Sequence, residues 1–119
     1  MNLTKKLRRG YAAGVPFRID SGDTLICDFL FDSAANYPKR VALDFLSQQT
    51  TYEELETQVR QAATVLRNAG VKQGDRVALI LPNCPQHVVA VFAIALVGAI
   101  SVEHNPLAPA EELKSEFAR

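Results

Sequence analysis

Residues 76–102 read RVALILPNCPQHVVAVFAIALVGAISV. Arg76 to Leu81 is apolar after its first residue, as expected of a strand buried on both faces. Pro82-Asn83-Cys84-Pro85 breaks that run, and Pro85 suits the first turn of a helix, whose early N–H groups lack partners in any case. Asn83 or Cys84 then falls at the cap. The apolar residues continue to Val97, and Gly98 offers a left-handed stop. Ala99 to Val102 reads as a further strand. Strand, helix and strand joined by tight links make a βαβ crossover with parallel strands.

Upstream of this unit, Thr51 and Glu54 stand at capping-box spacing, where hydroxyl and carboxylate each satisfy an orphan backbone N–H. Leu55, Val59, Ala62, Ala63 and Leu66 repeat at helical intervals behind them. Arg67 falls near the helix end, where a cation suits the dipole, and Gly70 follows as a stop. Val71 to Asp75, with Gly74 inside, is a turn into the apolar strand. Val41 to Leu46, bounded by Pro38 and the polar Ser47-Gln48-Gln49, reads as another strand. A helix can begin at Thr24, capped by Asp23 or Thr24, with Ile26, Leu30, Ala34 and Tyr37 on one face and Pro38 as its end. Residues 1–23 hold Gly10, Gly14, Pro16 and Gly22 without periodicity and read as an extended arm. A short helix from Ala110 to Ala118 follows Pro109, and the chain stops in mid-element. The resulting expectation is an α/β chain of mainly parallel strands, divided into an arm over 1–23 and an incomplete α/β unit over 24–119.

Composition narrows the function classes. The chain has 119 residues, 48% of them hydrophobic, and 13 basic residues balance 13 acidic ones. That balance argues against a nucleic-acid surface. Lys5, Lys6, Arg8 and Arg9 form a local basic run, read as a solvated arm, with weak attraction to an anionic membrane surface as the alternative. No apolar run of secretory length follows them, and Val88 to Val102 is shorter than a membrane span. Cys27 sits among apolar residues and Cys84 lies between prolines, in no C-x-x-C pattern, which fits a cytoplasmic location.

The motifs that carry chemistry are sparse. No phosphate-binding loop of the G-x-x-x-x-G-K-[ST] type occurs, and no G-x-G-x-x-G. The Gly70–Asp75 turn could offer backbone N–H groups to a phosphate, against the plainer reading of helix stop and tight turn. His87 and His104 belong to no metal-ligand pattern; His87 reads as exposed in the first turn of a helix. Glu103 and His104, adjacent at a strand end, are expected to point to opposite sides. Glu103, His104 and Asn105 follow the C-terminal end of a parallel strand, where sites gather in open α/β sheets, but a loop-fixing hydrogen-bond cluster is the favoured reading over a catalytic role. Asp20, Asp23, Asp28 and Asp32 read as caps and a solvated face. Ser33, Ser47 and Ser101 lack the turn of an activated serine. No catalytic, cofactor-binding or metal-binding residue is assigned.

Four segments in order resemble the start of the adenylate-forming (AMP-binding) superfamily. They are Thr51-Tyr52-Glu53-Glu54-Leu55, Gly70 through Ala78, Leu81 through Gln86, and Val97-Gly98-Ala99 leading to Asn105-Pro106-Leu107. Within the superfamily, Glu103 to Leu107 and the Tyr11–Pro16 arm most resemble long-chain fatty-acid–CoA ligases. Ala108-Pro109 departs from the Tyr-Thr common there. The resemblance implies a piece of the large N-terminal domain of an enzyme that joins a fatty acid to AMP using Mg-ATP and passes the acyl group to CoA. It also implies that the phosphate loop, adenine contacts, ribose-binding Asp and adenylation Lys lie beyond position 119. ATP, Mg, CoA and fatty acid are therefore expected partners of a longer protein, with none bound by this chain, which is expected to be inactive alone and to self-associate through uncovered apolar faces. Two alternatives stand beside this: the same family acting on an aryl or short-chain acid, and a free-standing, non-enzymatic α/β interaction module.

Overall fold

The computed structural model describes residues 10–16, 19 and 22–118. The Lys5–Arg9 basic run, Asp20 and most of the expected arm lie outside the described residues. The element order is α1 (Ile26–Asn36), β1 (Val41–Phe45), β2 (Gln48–Thr51), α2 (Tyr52–Asn68), β3 (Arg76–Leu79), α3 (Pro85–Val97), β4 (Ile100–Glu103) and α4 (Ala110–Phe117).

The expected α/β class holds, and β3 and β4 pair in parallel across α3, from Arg76 opposite Ile100 to Leu79 opposite Glu103. The hydrogen bonds Ile100 N–H to the Asp75 carbonyl (2.7 Å) and His104 N–H to the Leu79 carbonyl (2.9 Å) extend the ladder at both ends. Gly98 ends α3 at φ +82°, a left-handed conformation that glycine adopts without cost. Its carbonyl accepts from Gly74 N–H at 2.9 Å, so the turn that feeds β3 is fastened to the turn that feeds β4.

One element escapes the sequence reading. Of Ser47-Gln48-Gln49, read as the polar boundary of a strand, Gln48 and Gln49 instead open β2, which pairs antiparallel with β1. The loop consists of Leu46 and Ser47 at φ +50° and +65°. Positive φ at both central positions defines the hairpin turn whose twist matches its strands, and Asn-Gly is its usual signature. Without that signature the hairpin is silent in the sequence.

Two further expectations change. α1 is not capped by Asp23 or Thr24: its cap residue is Leu25. The Asp28 carboxylate accepts from Leu25 N–H at 2.8 Å, so the cap is supplied from inside the first turn. β3 is not buried on both faces either. Leu79 is buried, while Arg76 and Ala78 are exposed. α3 covers one side of the β3–β4 pair, and on the other only the end of α4 approaches, leaving an open cavity lined by Arg76, Ala78 and Val102 with Glu116 and Phe117.

The core lies among the helices rather than at the strands. Leu30 of α1, Leu55, Val59 and Ala63 of α2, and Ala93 of α3 form its buried centre, with Phe31, Leu43, Leu66, Val89 and Phe92 packed around it. The Thr51–Glu54 box forms as read: Glu54 N–H donates to the Thr51 hydroxyl at 3.4 Å, and Thr51 N–H donates to the Glu54 carboxylate at 2.8 Å. Arg60 ties α2 to α1, its guanidinium lying 4.2 Å from the Phe31 ring centre while pairing with Glu56. Arg67 does more than complement its own helix: its guanidinium donates to the Leu96 carbonyl in the last turn of α3, at 3.2 Å.

Candidate functional site

The C-terminal end of the β3–β4 pair is where an open α/β sheet gathers its functional groups, and the chain's histidines meet there. Glu103 is the last residue of β4. Its carboxylate reaches the His87 Nε2 on the first turn of α3 at 2.8 Å. His104 leaves the strand on the opposite side, and its Nδ1 lies 2.5 Å from the Glu116 carboxylate on α4. The alternation expected of adjacent strand residues therefore holds. His87 is not merely exposed: its side chain is 21% accessible, held by the Glu103 bond. His104 is 7% accessible, and the Phe117 ring meets it edge-on with centroids 5.0 Å apart. Asn105 turns the chain away, its side-chain oxygen accepting from Leu107 N–H at 2.9 Å.

These contacts join elements; they do not assemble a reaction centre. Each imidazole is bound to a carboxylate, but no serine or thiol stands at hydrogen-bond distance from either ring among the described residues. The Cys84 thiol and His87 line one open groove of about 300 Å³ with Leu43, Phe45 and Val88. His87 directs its Nε2 to Glu103, and no hydrogen bond joins its ring to that thiol. Cys27 is buried, its Sγ 3.5 Å from the Phe92 carbonyl, and burial raises its thiol above the ordinary value, with Asp28 adding to the effect. A thiol held protonated in this way is a poor nucleophile. Ser33 donates to the Phe29 carbonyl at 2.7 Å, Ser47 sits in the hairpin turn, and Ser101 lies within β4.

The Gly70–Asp75 turn can be tested as a phosphate cradle by asking where its N–H groups go. Val71 N–H donates to the Leu66 carbonyl, Asp75 N–H to the Lys72 carbonyl, and Gly74 N–H to the Gly98 carbonyl. Lys72 N–H is held by the Asp75 carboxylate at 2.8 Å. Five of the turn's six amides, those of Gly70, Val71, Lys72, Gly74 and Asp75, are used within the fold, so the turn presents no row of donors that fits a nucleotide phosphate. Among the described residues, no group of three or more His, Cys, Asp or Glu side chains is placed to hold a metal ion, and no helix is long and apolar enough to cross a membrane.

The likeness to known proteins is extensive. A family profile described as "AMP-binding enzyme" matches residues 30–117. A long-chain-fatty-acid–CoA ligase of Bacillus subtilis is 34% identical over 107 residues, covering 90% of this chain and 19% of that protein. One from Escherichia coli is 38% identical over 110 residues, with the same coverage of 90% and 19%. A 4-coumarate–CoA ligase of Oryza sativa is 35% identical over 92 residues, 76% of this chain and 16% of that protein. Among solved structures, the Klebsiella oxytoca NpsA N-terminal subdomain, in complex with anthranilyl-AMSN, superposes with a TM-score of 0.75 at 29% identity, covering 79% of this chain and 24% of that one. The crystal structure of VinN gives 0.76 at 29% identity, covering 80% and 25%. The chain thus spans about a fifth of the length of the curated ligases it matches.

Proposed function

We propose, because this chain belongs to the AMP-binding enzyme family, that it is a scaffold segment of a fatty-acid–CoA ligase. The observation that supports this reading is the coincidence of two patterns. The segments that carry the resemblance, Thr51 to Leu55, Gly70 to Ala78, Leu81 to Gln86 and Val97 to Ala99 leading to Asn105-Pro106-Leu107, fall within the matched span 30–117. They contain the residues that cap, turn and stop the elements: Thr51 and Glu54 at the start of α2, the Gly70–Asp75 turn into β3, Cys84 and Pro85 at the start of α3, and Gly98 at its end. Their work in this chain is architectural.

In the longer enzyme the reaction is activation of a fatty acid. A carboxylate oxygen attacks the α-phosphorus of Mg-ATP, pyrophosphate leaves, and the acyl-adenylate passes its acyl group to the CoA thiol with release of AMP. Because five of the six Gly70–Asp75 amides are engaged internally, we assign ATP, Mg and CoA to parts of the relatives' length that this chain does not span. The chain's own contribution is to hold β3 and β4 in register as one flank on which those parts are built. A cytoplasmic location, with peripheral membrane contact through the Lys5–Arg9 run, goes with this reading.

A second reading, an aryl-acid substrate, is favoured by the 4-coumarate–CoA ligase relative and by the neighbour bound to anthranilyl-AMSN. Acid-dependent ATP–pyrophosphate exchange by the longer gene product separates the two. The proposal expects exchange with a long-chain fatty acid and little with coumarate or anthranilate; exchange with the aryl acids alone would replace it with the second reading.

A further inference from the structure

Among the described residues β3 pairs with β4 alone, so each strand keeps one free edge. Two strands are marginal by themselves, and parallel strands are normally built into larger, covered sheets. The backbone at the free edge of β3 is aligned for a neighbour. The Asp75 and Leu79 carbonyls accept from Ile100 and His104 N–H on the β4 side. Alternation along the strand therefore turns the N–H and C=O groups of Arg76 and Ala78 outward, and both residues are exposed.

The helices that follow β3 and β4 lie on opposite faces of the pair. Glu103 of β4 reaches His87 of α3 on one face. On the other, Arg76, Ala78, Val102 and His104 line a cavity of about 410 Å³ together with Glu116 and Phe117 of α4. Crossovers between parallel strands are right-handed in about 98% of cases. With α3 on the first face, that hand sets β4 to one side of β3. With α4 on the second face, the same hand carries the chain back across β3, to the free edge of β3 and not to that of β4. The last turn of α4 also shares its cavity with Arg76, the first residue of β3, and a parallel strand enters at that end.

We propose that the free edge of β3 is a docking site for one parallel strand, supplied by the segment of the longer protein that directly follows α4. The chain spans about a fifth of the length of its curated relatives, which leaves ample chain for it. The sheet order is then new strand, β3, β4, with β3 central. This rests on the reading of the chain as a segment of a longer ligase, and holds whichever acid that ligase activates.

Amide hydrogen exchange with residue-level fragmentation, run on the 119-residue chain and on the longest product of its gene, reads the edge directly. The Ala78 amide should exchange about tenfold or more slowly in the longer product, as for an N–H taken into a ladder. A second arm identifies the occupant: a benzophenone amino acid replaces the exposed Arg76 in the longer product, and mass spectrometry maps its photo-crosslink. Besides α4, the crosslink should fall within about 20 residues past Arg119, because links between helix and strand are short in such units. An Ala78 amide that exchanges at the same rate in both proteins, or a crosslink only to a distant segment or to a second copy, overturns the proposal and leaves the ligase reading standing. A gene that ends at Arg119 overturns both.

Discussion

Gly98 and Gly70 both hold left-handed φ, +82° and +93°, but their surroundings differ. A Cβ at Gly98 would meet Gln73 Cγ at 3.1 Å, whereas one at Gly70 would meet nothing within 4 Å. Gly70→Ala should therefore cost the backbone strain alone, about 1 kcal/mol, by the usual penalty of a side chain in that region. Gly98→Ala should cost more, and most of the excess should disappear in the double variant Gly98→Ala/Gln73→Ala, because the substitution removes Gln73 Cγ and leaves Cβ at an ordinary contact distance of 3.4 Å. Urea midpoints of the four proteins read this directly. A second prediction concerns Glu54, whose carboxyl is held below its ordinary value first by the Thr51 N–H and then by the Thr51 hydroxyl. A carboxyl depressed on folding contributes stability above its unfolded value, near pH 4.3, and loses it as pH falls through the folded one. Wild type and Glu54→Gln should accordingly differ in urea midpoint near neutrality and converge in acid. Thr51→Ala should lower stability by about 1 kcal/mol through loss of the cap.

At the scale of elements, α2 carries the fold. Val59 and Ala63 are fully buried at its centre, and Leu55 lies one turn earlier against α1 and α3. Leu55→Ala should cost about 2–5 kcal/mol, the range for a large apolar side chain removed from a close-packed site. Val65→Ala on the exposed side of the same helix should cost little; thermal or urea unfolding of both variants checks the contrast. This helix was plain in the sequence because its start, apolar period and stop agree. The α3 unit was legible for the same reason, down to Pro85 and Gly98. The β1–β2 hairpin was hidden because Leu46 and Ser47 take up a turn that their side chains do not favour. At the site, the opposite directions of Glu103 and His104 followed from strand alternation. Their partners did not: His87 and Glu116 stand 16 and 12 residues from them in sequence, and only folding brings these pairs together. The expectation of a doubly buried β3 failed because an apolar strand declares what it needs covered, not whether the covering residues are at hand.

Over the described part of the molecule, large apolar side chains stand at the surface. Leu25, Ile26 and Phe29 line the outer side of α1 at 68, 51 and 64% exposure, and Ile100 stands on the open edge of β4. Exposed apolar area on this scale drives association. Light scattering should show a mean mass that rises with concentration and rises further with ammonium sulfate, which strengthens apolar contact. A monomer that holds its mass over that range would instead favour the free-standing module. A scaffold segment of an adenylate-forming ligase depends on reacting groups that lie outside these 119 residues. ATP–pyrophosphate exchange, driven by a long-chain fatty acid and run side by side on the 119-residue chain and on the longest product of its gene, tests this most directly. Exchange is expected from the longer protein and none from the 119 residues alone; exchange by the 119 residues themselves, or a gene that ends at Arg119, would overturn the scaffold reading.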